Sequence, residues 1–344
     1  MGSGKTTSFD IAHRAGVSQA TVSRALRDSP LVNPQTRERI KAIARELNYQ
    51  VDRNAASLRS QQSRTLALLL FEDPTTDDSQ INPFFLSMLG NITRTAAAHR
   101  YDLLVSFQQL SEDWHHEYEV SNRADGIILL GYGDYTRFES KARALIDAKA
   151  HFVIWGPVTR DLRGHAVGCD NAAGGYAATR HLLGLGRRRI AFLGTGGRNY
   201  PEFRERHRGY CRALEEAGIE ADPALRRDAV TQETAGTEAV ESLLASGESF
   251  DAVFAASDLI AIGAIKALRS AGLGVPEDVA VVGFDDIPAA SYFNPSLTTM
   301  HQDTAKAGER LVENLLRMIE GEPGESGLIR PALVVRRSCG APAP

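Results

Sequence analysis

Residues 7–26 read TSFDIAHRAGVSQATVSRAL and predict two short helices joined by a tight turn. Thr7 and Asp10 have the residue types and the spacing of a helix start. Gly16 stands where the end of the first helix needs a left-handed backbone, and Ser18 suits the cap of the second helix. Apolar residues recur at helical spacing in both segments, which gives each helix an inner and an outer face.

The outer face of the second segment combines short hydroxyls, one amide and one guanidinium, and it has no carboxylate. Such a face suits the base edges of the DNA major groove and the phosphates beside it. A third helix is predicted from a cap at Asn33 followed by Pro34 at the first helical position. The outward residues of the second segment are Gln19, Ala20, Thr21, Ser23 and Arg24.

The run GVSQATVSRAL at residues 16–26 resembles the helix-turn-helix of the lac repressor (LacI/GalR) family of bacterial transcription regulators, and the likeness continues to Ser338. The resemblance implies that DNA is the partner of this head. We expect one set of residues to read base edges and another to position the protein on phosphates. The first set is Gln19, Ala20 and Arg24, and the second is Ser18, Thr21, Ser23 and Asn33.

Residues 52–60, DRNAASLRS, admit two interpretations. One or two helical turns are unstable alone in water, so this stretch could be a fraying linker. The family resemblance implies instead a hinge helix that orders on DNA and enters the minor groove as one of a pair. In that interpretation Leu58 is the wedge at the central base step, with Ala55 beside it.

Charge is distributed unevenly along the 344 residues, whose formal net charge is −4. Residues 1–64 hold 11 Lys and Arg against 5 Asp and Glu, a balance of +6, so the remainder carries −10. A basic head on an acidic body indicates that the head alone meets a polyanion. The three cysteines are widely spaced and predict neither a disulfide framework nor a metal site, as expected in a reducing cytoplasm. No apolar run reaches membrane-spanning length, and we expect no cofactor.

From residue 65 onward, short apolar runs alternate with helical patterns, which indicates parallel strands buried on both faces. The predicted fold class is therefore an all-α helix-turn-helix head followed by an α/β core of two doubly wound subdomains. The core resembles the periplasmic sugar-binding fold that the family uses to bind effectors. The predicted strands are 66–71, 102–107, 126–131, 152–156, 190–194, 252–256 and 279–284, and the predicted helices include 83–99, 171–185, 202–217, 234–246 and 259–271.

The predicted domains are a DNA-binding head at 1–51, a hinge and linker at 52–64, and an effector and dimerisation domain at 65–344. We expect the chain to cross between the two core subdomains near 157–163, 290–302 and 330–335. The ligand cleft of such a fold lies between the subdomains, at the carboxyl ends of strands.

Six residues close to predicted strand ends are candidates for binding an effector. Aromatic rings stack on the C–H faces of a sugar, while carboxylates and a guanidinium bind its hydroxyls. The family resemblance implies that Arg206 and Asp285 hold the effector and that Phe84 and Phe85 line the near wall. Each has a structural alternative: a surface ion pair for Arg206, a helix cap for Asp285, and the core for the aromatic residues. The six are Phe84, Phe85, Trp155, Arg206, Ser257 and Asp285.

The sequence thus predicts a dimeric, ligand-responsive transcription regulator, and specifically a repressor of carbohydrate genes with a mono- or disaccharide effector. Control by an inducer and control by a corepressor are both compatible with it. The rivals are a periplasmic sugar-binding protein, which the DNA-type head disfavours, and an enzyme, for which no catalytic set is visible. The tail CGAPAP at residues 339–344 cannot form a tetramerising helix, so we expect a dimer.

Overall fold

The computed structural model describes residues 6–47, 49, 62–71, 81–107, 113–131, 135–195, 197 and 199–342, without the side chains of 71 and 135–138. The chain forms two compact units, Met1–Ser63 and Arg64–Pro344, which are treated separately. The predicted hinge helix, including Ala55 and Leu58, lies outside the described residues.

The first unit contains the three predicted helices: α1 (Ser8–Ala15), α2 (Gln19–Leu26) and α3 (Pro34–Glu46). At the start of α1 the Asp10 carboxylate accepts hydrogen bonds from the Thr7 N–H and hydroxyl, both at 2.8 Å. Gly16 ends α1 with φ of 63°, a conformation that glycine adopts without steric cost. The inner faces of the helices form one apolar core together with Val32, which lies between α2 and α3. The core residues are Ile11, Ala12, Ala15, Val22, Ala25, Val32, Ile40 and Ala44.

The second unit is an α/β core of two halves, as the sequence predicted, and each half is built on its own six-stranded sheet. The first half contains β1 (Thr65–Phe71), α4 (Pro83–Ala98), β2 (Asp102–Phe107), a π-helical turn (His115–Val120), β3 (Gly126–Gly131), α5 (Tyr135–Asp147), β4 (Phe152–Trp155) and β5 (Ala166–Cys169). Most of the second half follows in sequence: α6 (Asn171–Gly184), β6 (Ile190–Leu193), α7 (Pro201–Glu216), a 3₁₀ turn (Pro223–Leu225), β7 (Arg226–Arg227), α8 (Glu233–Ala245), β8 (Ala252–Ala255), α9 (Asp258–Ser270), β9 (Ala280–Asp285), α10 (Pro288–Tyr292) and β10 (Thr298–His301). The chain then returns to the first half for α11 (Thr304–Ile319) and β11 (Gly327–Ile329), and it ends in the second half with β12 (Ala332–Val334).

The two sheets share one design. Their strand orders are β11-β5-β4-β3-β1-β2 and β12-β10-β9-β8-β6-β7, and all pairs are parallel except β10 with β12. The middle strands, β3 and β8, are buried along almost their whole length, because helices cover both faces of each sheet.

The first crossing between the halves lies later than the sequence predicted. The stretch 157–163 belongs to the first half, because β5 follows it and still pairs with β4. The chain passes into the second half at Asp170, between β5 and α6. The other two passages lie at 302–303, before α11, and at 330–331, between β11 and β12.

Candidate DNA interface and ligand cavity

Several side chains on the outward face of α2 are engaged within the head. The Ser18 hydroxyl accepts a hydrogen bond from the Thr21 N–H at 3.2 Å and lies 2.9 Å from the Thr21 hydroxyl, so both residues organise the helix start. Gln19 donates from Nε2 to the Ser8 hydroxyl at 2.7 Å, which ties α2 to α1. The Ser23 hydroxyl accepts from Arg27 at 2.6 Å.

Ala20 and Arg24 are the two outward residues of α2 that are exposed. Among the described residues, no hydrogen bond or ion pair is found for the Arg24 guanidinium, which is therefore available to a base edge or a phosphate. Asn33 is also exposed, and its Oδ1 accepts from the Gln35 N–H at 2.9 Å as the cap of α3.

In the core, a cavity of about 220 Å³ lies between the two halves, at the carboxyl ends of β9 and β10. The first half contributes a wall from the start of α4, and the second half contributes the loop after β9. The segment that crosses between the halves closes it. The lining residues are Phe84, Ser87, Asp285, Asp286, Ile287, Pro288, Ser291, His301, Gln302, Thr304 and Arg336.

Arg206 lies fully buried behind this cavity. Its Nε donates to Asn171 Oδ1 at 2.8 Å, and Nη1 donates to the Ala256 carbonyl. Nη1 also lies 3.5 Å from Asp285 Oδ1, beyond normal hydrogen-bond length, so that contact is an ion pair. The guanidinium stacks 3.7 Å from the centre of the Phe284 ring. Arg206 thus joins α7, the first crossing and the end of β9, rather than forming a surface pair.

Helices α6 and α7 approach each other closely, and this close approach allows Arg206 to lie where it does. A β-carbon at Gly175 of α6 would lie 2.0 Å from the Arg206 carbonyl oxygen, and one at Gly209 of α7 would lie 2.1 Å from the Ala172 carbonyl oxygen. Only glycine at both positions allows the helix backbones to touch. That contact brings Arg206 next to Asn171.

Asp285 presents a buried carboxylate to the cavity. Gln302 donates from Nε2 to its Oδ1 at 2.7 Å. Burial raises the pKa of Asp285 from 3.8 to about 6, although the charge of Arg206 and the bond from Gln302 act in the opposite direction. Burial, followed by the nearby Asp285 charge, raises the pKa of Asp258 well above its usual range.

Asp286, the next residue, is held by two basic side chains. Arg336 Nη2 lies 2.6 Å from its Oδ1, and His301 Nδ1 lies 3.0 Å from its Oδ2. The hydrogen bond to Asp286 raises the pKa of His301, and the pKa of Asp286 is lowered by His301 and Arg336 despite its partial burial. The three side chains form a fixed charged rim on the second half.

Gln302 is a lining residue that the sequence analysis missed. It is 2% exposed, and its Oε1 has no hydrogen-bond partner among the described residues. A buried carbonyl oxygen without a donor is costly, so this atom indicates a group that donates to it from the cavity. The four residues of the preceding strand, TTMH at 298–301, include one apolar side chain, so the sequence carries little sign of a strand end at Gln302.

The structure brings Phe84 and Asp285 to the cavity, whereas the other four candidates do not line it among the described residues. Phe85 and Trp155 pack behind Phe84, with ring centres 5.2 Å and 6.1 Å from the Phe84 ring. Ser257 is buried and caps α9 by accepting from the Ile260 N–H at 3.4 Å.

Within the described ranges, no three His, Cys, Asp or Glu side chains gather as a possible metal site. No described helix is long and apolar enough to cross a membrane.

Residues 9–52 match the family described as bacterial regulatory proteins, lacI family, and residues 179–339 match a periplasmic binding protein-like domain. The ribose operon repressor of Haemophilus influenzae is 31% identical over 343 residues, which cover 96% of this chain and 98% of that protein. The chain belongs to the lacI family of bacterial regulatory proteins.

Solved structures agree with this membership. A lac repressor dimer bound to operator and the anti-inducer ONPF is similar with a TM-score of 0.82 at 26% identity, over 98% of this chain and 100% of that one. A complex of the transcriptional regulator CelR with cellobiose is similar with a TM-score of 0.71 at 30% identity, over 97% and 99%. The LacI-family chain is accordingly a DNA-binding transcriptional regulator and not an enzyme.

Proposed function

We propose that this LacI-family regulator represses carbohydrate genes by binding a pseudo-palindromic operator as a homodimer, under the control of a small sugar. Arg24 and Ala20 contact base edges together with Gln19, which exchanges its bond to Ser8 for a base. Ser18, Thr21, Ser23 and Asn33 lie against phosphates, since hydroxyls and amides that cap a helix can also face the backbone of DNA. Ala55 and Leu58 enter the minor groove.

The observation that carries the sugar proposal is the unpaired Gln302 oxygen beside Asp285 in a polar cavity. A sugar hydroxyl both donates and accepts hydrogen bonds, so adjacent hydroxyls can donate to Gln302 Oε1 and to the Asp285 carboxylate. The Ser87 and Thr304 hydroxyls add further polar groups on the other side of the same cavity. Phe84 offers one apolar face to the sugar ring.

The size and walls of the cavity favour one sugar ring. A volume of about 220 Å³ is below the roughly 300–1,000 Å³ typical of pockets for drug-sized ligands. A planar base stacks best between apolar surfaces, whereas polar side chains outnumber apolar ones in the described lining, and Phe84 is its single Phe, Tyr or Trp. The second candidate is control by a corepressor that is not a sugar, and a purine base is the planar example that the screen below includes.

The homodimer proposal is supported by exposed apolar side chains on one edge of the first half. Leu86 of α4 is 47% exposed, and Val105 and Phe107 of the edge strand β2 are 42% and 46% exposed. On the second half, Tyr292 is 87% exposed. Such side chains mark association surfaces, and the similar lac repressor structure is a dimer. A monomer in sedimentation at micromolar concentration would refute the dimer.

Control of DNA binding would follow from the position of the cavity between the two halves. A ligand that binds one relative arrangement of the halves more tightly shifts the population toward it. Operator affinity measured with and without the bound sugar shows whether the sugar is an inducer or a corepressor. The sugar itself is found by a thermal-shift screen of mono- and disaccharides with purine bases as the comparison set, since a bound ligand stabilises the fold by mass action.

Arg24→Ala tests the DNA side of the proposal. Loss of a base-reading guanidinium should weaken operator binding by about 1–3 kcal/mol and relax discrimination at one base pair. Arg14→Ala is the matched control, because Arg14 is exposed on α1 and pairs with Glu46 at 2.8 Å. Binding is measured on the operator and on random duplex at several salt concentrations. An equal loss on both duplexes would show that Arg24 contacts phosphate alone.

A further inference from the structure

The loop that carries the cavity carboxylates has a strained backbone. Asp285 and the residue after it, Asp286, have φ values of 116° and 58°, in a region that residues with side chains rarely adopt. Two such residues in succession persist only where the surrounding structure holds them. Gln302 and the pair of His301 and Arg336 hold the carboxylates themselves. Another group must fix the backbone where the loop ends.

That group is Asp258, the first residue of α9, which is fully buried and does not line the cavity. Its Oδ2 accepts a hydrogen bond from the Ile287 N–H at 2.9 Å. Its Oδ1 accepts from the Thr299 hydroxyl at 2.5 Å. The carboxyl therefore ties the end of the strained loop to β10, directly behind the site.

The sequence makes room for this carboxyl. A β-carbon at Gly283 of β9 would lie 2.3 Å from Asp258 Oδ1, closer than real contacts allow, so glycine at 283 is required for the carboxyl to sit where it does. If Asp258 only filled space, β9 would not have to lack a side chain at position 283. The bond to Ile287 and the space beside Gly283 are independent observations on one group.

We propose that Asp258 is a positioning residue of the ligand cavity: it holds the loop of residues 285–287 in its strained form so that Asp285 and Asp286 face the ligand. It does so without touching the ligand. The proposal rests on the proposed function in ligand binding, but the position of the loop can be measured without any ligand.

The decisive readout is the titration of the His301 ring, followed by NMR, with His301→Gln identifying its resonance. Three charged groups act on this ring: Asp286, Asp303 and Arg336. The Asp286 bond raises the pKa of His301. If the loop relaxes, Asp286 moves away from the ring, and the pH at the midpoint of the His301 titration (the His301 midpoint) falls.

Two substitutions at position 258 separate positioning from charge. Asp258→Asn can still accept from Ile287 and donate to the Thr299 oxygen, so the His301 midpoint should stay at the parent value. Asp258→Leu removes the same charge but leaves the Ile287 N–H without an acceptor, so the midpoint should fall. Leu243→Ala, in the buried face of α8, is the control for lost stability and should leave the midpoint unchanged.

Gly283→Ala provides a second route to the same state, because the added methyl group displaces the Asp258 carboxyl while Asp258 is retained. Like Asp258→Leu, it should lower the titration midpoint of His301. If Asp258→Leu does not fold, Gly283→Ala alone tests whether Asp258 positions the loop. An unchanged midpoint in the folded variants would overturn the proposal. So would an equal fall in Leu243→Ala, which would make the effect one of general stability.

The effect of Asp258 on ligand binding is tested by measuring the affinities for D-ribose and cellobiose by calorimetry. Asp258→Leu should bind whichever sugar the parent protein binds at least tenfold more weakly, and Asp258→Asn within threefold of the parent. If the parent binds neither, the proposed effector fails for those sugars and the His301 titration still decides the role of Asp258. Parent-like binding by Asp258→Leu would overturn that role.

Discussion

The two halves of the core share one strand order, but their buried chemistry differs. In the first half, the wall of the cavity is aromatic and hydroxylic, with Phe84 and Ser87. In the second half, Arg206, Asp258 and Asp285 are ionisable groups withdrawn from solvent. Equal topology therefore does not imply an equal role. In the proposed function, the second half would hold the ligand by a preorganised polar network, and the first half would supply the facing wall.

The largest expected effect of this difference is on stability. Arg206→Met leaves the Asp285 carboxylate without its charge partner and leaves the Ala256 carbonyl without its donor, which should cost about 3–5 kcal/mol. The comparison is Arg143→Met in the first half, which breaks an exposed pair with Glu139 at 3.3 Å and should cost under about 1 kcal/mol. The free energy of unfolding in urea at pH 7 measures both. Equal losses would abolish the contrast between the halves.

The next effect is on ligand affinity. Asp285→Asn would remove the charge-assisted bonds that we propose to sugar hydroxyls, and we expect at least tenfold weaker binding, or about 1.4 kcal/mol. Ser87→Ala, on the opposite wall, should change affinity by about threefold or less, because a neutral hydroxyl contributes less. Calorimetry with the sugar identified by thermal shift compares them. If Ser87→Ala costs more than Asp285→Asn, the first half is the binding half.

A third effect concerns pH. The pKa of Asp285 is about 6 in the folded protein and 3.8 ordinarily, so the folded state binds this proton more tightly than the unfolded chain does. Its contribution to stability is therefore greatest below pH 4 and declines as pH rises toward 6. Urea unfolding of the parent and of Asp285→Asn across this range isolates the contribution. The stability of the parent relative to the variant should decline with rising pH, and a rising difference would contradict the burial of this carboxyl.

Most of the fold could be predicted from the sequence because its strands have strong local signals. The run GIILLG at 126–131 is apolar throughout and forms β3 with the predicted bounds. Short strands have no such signal: β5 has four residues including Gly168, and β11 has three, of which Leu328 is 51% exposed. Missing β5 is what placed the first crossing too early.

The site was predictable only where a residue follows a recognisable strand or opens a helix. Phe84 and Asp285 have such positions, and both line the cavity. Gln302 was missed because β10 was interpreted as a crossing. The environment of Arg206 could not be inferred, since its acidic neighbours in sequence suggested a surface helix. Its partners, Asn171 and Asp285, are distant along the chain.

The three crossings also determine when this protein can fold during synthesis. The first half is complete only when α11 packs against α4 and β11 pairs with β5, so its last strand is residues 327–329. Most of the second half is therefore translated before the first half can close. N-terminal domains usually fold while the next domain is being synthesised, but the first half cannot do so. The two halves therefore reach their native structure together, once the ribosome has delivered β11 and β12.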